Sequence, residues 1–325
     1  MVMTRQILVG GVPIGGGAPV VIQSMLNTKT TDVEDSLEQI KKLAAAGCQI
    51  ARLAVPNMEA ARSFAEICRE SPLPLVADIH FDYKLAIAAA EGGAAKIRIN
   101  PGNIGGEDRV KAVVDVCKDK KIPIRIGVNG GSLDRKLLEK QGFYDTCVSM
   151  KSSTVPNMVA AARLFRSKCD YPLHIGVTET GPVRQGLIKS AMGIGALLLD
   201  GIGDTIRVSL TDDPVQEVYA AKDILKAAGL RKDGVDIISC PTCGRTRIDL
   251  IGLVNRVDEA LKDCKKPITV AVMGCVVNGP GEAREADIGI AGGDGWGMLF
   301  EKGEQVARLP YDELLPALLE RIEKM

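Results

Sequence analysis

Short apolar runs alternate with amphipathic stretches along most of the chain. Gln6–Ile14 holds two apolar runs around Gly10-Gly11, a pattern typical of a β-hairpin. Eight runs of strand length follow it: Pro19–Ser24, Gln49–Val55, Leu73–Ile79, Ala95–Asn100, Pro123–Asn129, Asp145–Met150, Leu173–Glu179 and Asp204–Leu210. Stretches with apolar residues at helical spacing lie between or after them, among them Asp32–Ala46, Met58–Arg69, Glu107–Lys118 and Pro214–Ala228.

Eight strand–helix units in this order predict an α/β fold, a closed (β/α)8 TIM-type barrel, with the hairpin as a plug beneath it. The polar segment Leu230–Gly234 predicts a boundary that divides the chain into a barrel, residues 1–232, and a small α+β domain, residues 233–325. In this second domain we expect a helix over Leu250–Leu261, a strand over Ile268–Met273 and a helix from Tyr311.

The composition is that of an ordinary globular protein: 325 residues, 46% hydrophobic and 25% charged, with a formal net charge of +0. Zero net charge gives no general attraction for nucleic acid or anionic membranes. An aromatic content of 3% leaves few stacking platforms for single-stranded nucleic acid. We see no signal-peptide pattern and no apolar run of membrane-spanning length. With nine irregularly spaced cysteines, we expect a cytoplasmic protein with reduced thiols.

Polar residues recur near the carboxyl ends of the predicted strands, the face on which barrel enzymes place their active sites. Residues two or four apart on a strand share a face, so Arg98 and Asn100, for example, can point together. A neutral barrel core would prefer Val or Ile at such positions. The residues concerned are Arg52, Arg98, Asn100, Arg125, Asn129, Lys151, Arg207 and Ser209.

The cations of this set indicate an anionic ligand. A single arginine in a strand is commonly half of an ion pair, but four arginines and a lysine on five strands need an anion to balance them. Arginine presents a planar fork that suits phosphate, and five cations indicate more than one phosphate, so the sequence predicts a small diphosphate. Glu179 stands beside them as either a catalytic acid or base or a salt-bridge partner of one arginine.

Three cysteines of the second domain lie in loops that suit a metal or an iron–sulfur cluster. Cys240 and Cys243 are separated by two residues, so both sulfurs can reach one centre, and Cys275 lies in a Gly-flanked loop. The next ligand available in that loop is Glu282. A redox dithiol and half of a zinc site are the alternatives. Structural zinc needs four Cys or His ligands, and the two histidines of the chain lie far upstream, so the pattern favours a cluster held by three thiolates and one weaker ligand.

These loops and the barrel strands resemble one known family over essentially the whole chain. The motifs are similar to those of bacterial 4-hydroxy-3-methylbut-2-enyl diphosphate synthases, of the methylerythritol phosphate route to isoprenoids. In the second domain they are Cys240-Pro-Thr-Cys243-Gly-Arg and Gly274-Cys275-Val-Val-Asn-Gly-Pro-Gly-Glu282. In the barrel they are Lys96-Ile-Arg98-Ile-Asn100-Pro-Gly-Asn103, Arg125-Ile-Gly-Val-Asn129, Val177-Thr-Glu179 and Asp204-Thr-Ile-Arg207-Val-Ser209-Leu.

The resemblance implies a two-electron reductive ring opening and dehydroxylation of 2-C-methyl-D-erythritol 2,4-cyclodiphosphate through a four-iron–four-sulfur (4Fe-4S) cluster. It implies that Cys240, Cys243, Cys275 and Glu282 ligate the cluster. It also implies that Glu179 and Glu282 act at the reacting end of the substrate and that the eight polar strand residues above hold the diphosphate. Ser152 and Thr180 stand where the family more often has Ala, and neither difference removes a functional group.

Two expectations concern partners. The glycines near the N-terminus lack the strand–GxGxxG–helix context of a dinucleotide site, so electrons should come from ferredoxin or flavodoxin. Leu230–Gly234 follows a helix that returns the chain to the amino-terminal face of the barrel, and five residues span at most about 18 Å. We therefore expect a homodimer with composite active sites, in which each second domain completes the barrel site of the partner, as the resemblance also implies.

Two other functions fit the same residues. A redox-neutral hydro-lyase acting on a small diphosphate would use a three-thiolate cluster as a Lewis acid and would need no external electrons. A zinc-stabilised phosphate-binding protein would have no catalytic activity and would be colourless after anaerobic purification.

Overall fold

The computed structural model describes residues 3–129, 135–262, 264–276, 281 and 284–325. By its internal contacts the chain divides into two compact units, Met1–Leu230 and Arg231–Met325.

The first unit is a closed barrel of eight parallel strands, which confirms the predicted fold. The strands are β3 (Val21–Met25), β4 (Ile50–Ala54), β5 (Leu75–Asp78), β6 (Lys96–Ile99), β7 (Ile124–Asn129), β8 (Thr146–Lys151), β9 (Leu173–Ile175) and β10 (Thr205–Ile206). They follow one another around the barrel in chain order, and β10 pairs with β3 to close it.

Helices connect the strands on the outside of the barrel. They are α1 (Val33–Ala46), α2 (Met58–Glu70), α3 (Tyr83–Glu91), α4 (Pro101–Ile104), α5 (Glu107–Lys120), α6 (Arg135–Lys140), α7 (Val155–Lys168), α8 (Val183–Leu199) and α9 (Pro214–Ala227). Several begin at a side chain that accepts a hydrogen bond from the first turn. Asp32 caps α1, Asn57 caps α2 and Asp213 caps α9 in this way, which satisfies backbone donors that the helix itself leaves open.

The predicted hairpin consists of β1 (Ile7–Val9) and β2 (Val12–Ile14), which pair antiparallel. Ile7, Val9 and Ile14 form one buried apolar cluster with residues that include Val21 and Ile50 of the first barrel strands. The hairpin therefore closes the amino-terminal end of the barrel interior with apolar side chains.

Alternation along the strands separates an apolar outer face from a partly polar interior. Outward residues such as Leu53, Ile97 and Val148 pack in the main core, between the sheet and the helices. Their neighbours of opposite parity, such as Arg52 and Lys96, point inward and are also buried. The barrel interior thus begins as an apolar plug and becomes charged toward the carboxyl ends of its strands.

Two predicted strands were too long. β9 ends at Ile175 rather than Glu179, and β10 spans two residues rather than Asp204–Leu210. Beyond these strand ends, backbone groups form hydrogen bonds with side chains. Thr180 Oγ1 donates to the Ser209 carbonyl, and the Leu210 amide donates to Glu217 Oε1 at 3.1 Å. The strand ladder stops there because these polar side chains satisfy the groups that a neighbouring strand would otherwise bind.

The described residues of the second unit form a five-stranded sheet and two helices of more than ten residues each. Its elements are β11 (Asp236–Ser239), α10 (Leu250–Leu261), β12 (Thr269–Met273), β13 (Ile288–Gly292), β14 (Trp296–Glu301), β15 (Glu304–Pro310) and α11 (Leu314–Lys324). The first three strands are parallel and the last two antiparallel. Tyr311–Glu313, predicted to open the terminal helix, forms a single 3-10 turn before it.

Both helices pack on one face of this sheet. Leu253 and Val257 of α10 and Leu318 of α11 share a buried cluster with Val270 and Ile290 of the sheet. Among the described residues, no helix combines the length and apolar character needed to cross a membrane.

Candidate active site

Four arginines of the predicted set meet inside the barrel near the carboxyl ends of its strands. Arg98 lies opposite Asp78 on one neighbouring strand and opposite Arg125 on the other. Arg52 and Arg207 converge on the sulfur of Met25, with Arg52 Nη2 at 2.7 Å and Arg207 Nη1 at 3.7 Å. The strand positions that parity predicted therefore face a common interior.

Asp78 compensates two of these cations. Its Oδ1 accepts from Arg98 Nη1 at 2.9 Å, and its Oδ2 lies 3.6 Å from Arg52 Nε. Burial alone would raise the pKa of Asp78, but the charges of Arg52, Arg98 and Arg125 outweigh burial and lower it. Asp78 is therefore a carboxylate at neutral pH and holds two arginines from one side. His80 lies at the exposed rim, with Nε2 3.9 Å from Asp78 Oδ2.

Arg125 is affected by the charge of Asp78, but among the described residues it forms no hydrogen bond or ion pair with a carboxylate. Its side chain is 0% exposed, and none of its three guanidinium nitrogens has a hydrogen-bond partner among the described residues. Burial lowers the pKa of Arg125 to about 10, so it remains a cation at neutral pH. A buried, charged and unpartnered guanidinium is costly. An anion that enters from the carboxyl ends of the strands would repay that cost, and a phosphate offers acceptor oxygens for all three nitrogens.

Lys151 ends β8 and lies near the same cluster. Burial lowers the pKa of Lys151 well below its ordinary value, and Arg52, Arg125, Arg207 and Arg98 lower it further. Its strand neighbour in register is Asn129, whose backbone lies at the end of β7 and whose side chain is outside the described residues. Asn100 follows β6, and Ser209 lies beyond β10, where its carbonyl accepts from Thr180.

Glu179 lies in the loop after β9 and is exposed. Its φ of 56° is in the left-handed region that residues other than glycine seldom adopt. Such strain persists where the surrounding structure fixes it, and it concentrates at functional sites. Among the described residues Glu179 forms no ion pair, so the salt-bridge role considered from the sequence has no support there.

Deeper in the barrel lies a polar layer that the sequence did not single out. Lys96 is 0% exposed, and its Nζ donates to Gln23 Oε1 at 3.4 Å. Burial lowers the pKa of Lys96 to about 7. His174 Nδ1 and Thr205 Oγ1 form a hydrogen bond of 2.7 Å. Burial lowers the pKa of His174 well below its ordinary value, and the charge of Arg125 lowers it further. Lys96 has the same strand parity as Arg98 and Asn100, so alternation could have found it.

In the second unit, the three candidate thiols lie beyond two adjacent parallel strands. Ser239 of β11 pairs with Val272 of β12, so Cys240 and Cys275 follow neighbouring strand ends. The Gly274 amide donates to Cys240 Sγ at 3.3 Å, and the Arg247 amide donates to the Gly274 carbonyl at 3.0 Å. The loop after β11 therefore lies directly against the loop after β12.

Gly274 permits this approach. A Cβ at position 274 would lie 3.0 Å from Thr246 Cγ2 and 3.1 Å from Leu250 Cδ2, which is tighter than normal packing. Cys243, in the same loop as Thr246, is exposed. The backbone N–H of Arg245 and then its side chain lower the pKa of the Cys243 thiol, which favours the thiolate that ligates metals.

These residues fit an iron–sulfur cluster by donor type and by position. Three thiols stand at adjacent strand ends, and a backbone N–H donates to one sulfur, as is usual for cluster ligands. The described residues include no group of three or more His, Cys, Asp or Glu side chains already gathered as a metal site. Glu282, the predicted fourth ligand, lies outside the described residues.

Family models match nearly the whole chain. The GcpE TIM-barrel domain matches residues 4–142 and 135–222, and the GcpE protein C-terminal domain matches residues 236–324.

Among solved structures, dihydropteroate synthase of Yersinia pestis has a TM-score of 0.52 at 12% identity. The match covers 69% of this chain and 98% of that chain. N-acetylneuraminic acid synthetase of Leptospira borgpetersenii has a TM-score of 0.51 at 15% identity, covering 80% and 98%. These two likenesses show the barrel fold alone.

Curated relatives are much more similar. Each of the following is named "4-hydroxy-3-methylbut-2-en-1-yl diphosphate synthase (flavodoxin)". The protein of Caldanaerobacter subterraneus subsp. tengcongensis is 55% identical, covering 99% of this chain and 97% of its own length. That of Clostridium perfringens is 54% identical, covering 98% of both. That of Geobacter sulfurreducens is 53% identical, covering 99% and 98%. The chain therefore belongs to the GcpE family.

Proposed function

We propose that the protein reduces 2-C-methyl-D-erythritol 2,4-cyclodiphosphate to 4-hydroxy-3-methylbut-2-enyl diphosphate, with two electrons from a flavodoxin. The names of its close relatives support this reaction and this donor. The structural observation that supports it most strongly is Arg125, a fully buried cation beside other cations, whose three guanidinium nitrogens have no hydrogen-bond partner within the described part of the chain. A diphosphate supplies both the charge and the acceptors that this interior lacks.

The barrel binds and orients the substrate. Arg52, Arg98, Arg125, Lys151 and Arg207 hold the diphosphate, with Asn100, Asn129 and Ser209 as neutral donors around it. Because the diphosphate itself is not reduced, its binding energy serves to fix the carbon end. Glu179 stands at the exposed carboxyl end of β9, where it can hold or deliver a proton as a hydroxyl group leaves.

The second unit would hold a four-iron–four-sulfur cluster through Cys240, Cys243, Cys275 and Glu282. When bound, such a cluster supplies single electrons and a Lewis-acidic iron. The chain contributes the rest: Gly274 lets the two thiol loops touch, and the Gly274 amide donates to Cys240 Sγ. Glu282, a weaker ligand than a thiolate, would complete the set of cluster ligands.

The active site would be composite. α9 runs back toward the amino-terminal ends of the barrel strands, and 231–235 are the only residues between Leu230 and β11. Five residues span at most about 18 Å, less than the breadth of a barrel. A two-fold homodimer in which each second unit serves the barrel of the partner subunit closes the arrangement. A flavodoxin donor and reduced thiols also fit a cytoplasmic enzyme.

Turnover with defined electron input tests the function. Protein purified anaerobically and supplied with iron and sulfide should convert the cyclic diphosphate to the linear product when reduced flavodoxin is present, consuming two electrons per product. Omitting the reductant should abolish conversion. Conversion at the full rate without reductant would instead establish a redox-neutral reaction and overturn the proposal.

A further inference from the structure

Glu217 has no role in the site as predicted from the sequence, yet four donors converge on it. It lies in the first turn of α9 and is 4% exposed. Oε2 accepts from Ser24 Oγ at 3.1 Å and from Arg207 Nε at 3.4 Å. Oε1 accepts from the Leu210 amide at 3.1 Å and from Arg207 Nη2 at 3.4 Å. Every donor comes from outside the helix that carries the carboxylate.

These contacts bridge the closing seam of the barrel. The first and last strands pair at only two positions, Thr205 with Val21 and Ile206 with Ile22. Ser24 lies farther along β3, while Arg207 and Leu210 lie beyond the end of β10. Glu217 therefore joins the two edges where their backbone ladder has ended.

The same contacts fix the orientation of Arg207. A guanidinium is planar and rigid, so binding the edge that contains Nε and Nη2 also sets the direction of Nη1. Nη1 points toward Met25 Sδ, as does Arg52 Nη2 from the other side. Arg207 is thus held with one edge on Glu217 and the opposite end in the cation cluster.

The helix that carries Glu217 suits a buried carboxylate. Asp213 caps α9 by accepting from the Val215 amide, and Pro214 occupies the first helical position. The amino-terminal end of a helix carries a partial positive charge, which stabilises an acid in its first turn. A buried carboxylate with four donors is stable only while those donors remain in place, so Glu217 and Arg207 depend on one another.

We propose that Glu217 is a positioning residue for substrate: it orients Arg207 so that its free end meets the diphosphate. This role rests on the diphosphate function proposed above. An arginine already oriented loses less side-chain entropy when the ligand binds, so affinity rises without a further contact.

A double-mutant cycle on the affinity for inorganic pyrophosphate separates positioning from a purely structural role. The variants are Glu217→Gln, Arg207→Ala and the two combined, measured by calorimetry on the full-length chain. We expect Glu217→Gln to weaken binding roughly five- to tenfold, since Gln keeps the length but loses the charge that holds the guanidinium. In the Arg207→Ala background the same change should have no further effect.

Asp213→Ala is the matched control, because it removes a cap of the same helix turn without touching Arg207. It should lower Tm and leave the pyrophosphate affinity unchanged. If Glu217→Gln weakens pyrophosphate binding equally in both backgrounds, Glu217 only stabilises the contact between the first and last barrel strands, and the proposal is overturned. If Arg207→Ala alone binds pyrophosphate as wild type does, the diphosphate role of Arg207 fails instead.

A second variant covers the case in which Glu217→Gln does not fold. Arg207→Lys keeps the positive charge but cannot hold two carboxylate oxygens while it presents a fixed opposite edge. Positioning predicts that Arg207→Lys loses nearly as much affinity as Arg207→Ala. Wild-type affinity in Arg207→Lys would show that charge alone suffices and would contradict the proposal.

Discussion

At the scale of single residues, the arginines inside the barrel differ in whether a carboxylate pairs with them. Arg207 has Glu217, and Arg52 and Arg98 share Asp78, but Arg125 has no hydrogen-bond partner among the described residues. Removing a paired cation leaves its carboxylate buried without a partner, whereas removing an unpaired one takes away an uncompensated buried charge. The two kinds of arginine should therefore respond differently to the same substitution.

Arg125→Met should raise Tm and weaken substrate binding roughly ten- to a hundredfold, because it removes a buried unpaired charge together with charge-assisted phosphate contacts. Arg207→Met is the matched control. It should weaken binding but lower Tm, since it leaves Glu217 buried without its cation. Thermal unfolding and calorimetric titration of both variants measure the two effects. A lower Tm for Arg125→Met, or an affinity within about twofold of wild type, would assign Arg125 a structural role.

At the scale of elements, two glycines of the barrel strands occupy different surroundings. A Cβ at Gly127 of β7 would lie 2.6 Å from Arg98 Nη2, the far end of a flexible side chain. A Cβ at Gly176, just after β9, would lie 2.5 Å from the Arg207 carbonyl oxygen, which belongs to the backbone. The first clash can be relieved by moving one side chain, and the second only by moving the chain.

Gly127→Ala should therefore fold with nearly unchanged Tm while it displaces Arg98 and weakens pyrophosphate binding roughly tenfold. Gly176→Ala should instead lower Tm, because the segments after β9 and β10 must separate. Circular dichroism melts and binding titrations compare the two. If Gly127→Ala binds pyrophosphate with wild-type affinity, Arg98 does not bind the diphosphate from its position beside Gly127.

Periodicity was sufficient to predict the eight barrel strands, and parity to predict the inward arginines, because both depend on residues close together in the sequence. Glu217 could not be found in this way: it lies on a helix and meets Arg207 only after the barrel closes. Its position four residues after the cap of α9 is also typical of an ordinary first-turn acid.

The last hairpin of the second unit was missed for a different reason. β14 and β15 turn at Lys302 and Gly303, which have φ of 48° and 81°. Such turns usually carry Asn-Gly or Asp-Gly, so a lysine at the first left-handed position gives little signal in the sequence.

The predicted length of β10 was wrong because side chains of Thr180 and Glu217, rather than a strand, bind the backbone beyond Ile206.

At the scale of the whole molecule, the proposed composite site predicts complementation between two inactive chains. Cys240→Ser removes a cluster ligand, and Arg125→Ala removes a diphosphate ligand. In a mixed dimer both lesions fall on one composite site and leave the other intact, so random exchange at equal amounts should restore about a quarter of wild-type activity. Two Cys240→Ser chains mixed together are the control and should stay inactive. No recovery despite demonstrated subunit exchange would contradict a shared site.

The iron and acid-labile sulfide content of anaerobically purified protein shows directly whether three thiols of the second unit hold an iron–sulfur cluster. We expect about four of each per chain with visible absorbance, and loss of both in Cys240→Ser, Cys243→Ser and Cys275→Ser, because a hard oxygen replaces a thiolate poorly. Each variant should keep the far-ultraviolet circular dichroism of the folded barrel. Colourless protein that contains zinc, or full iron content in all three variants, would show that these thiols do not hold an iron–sulfur cluster.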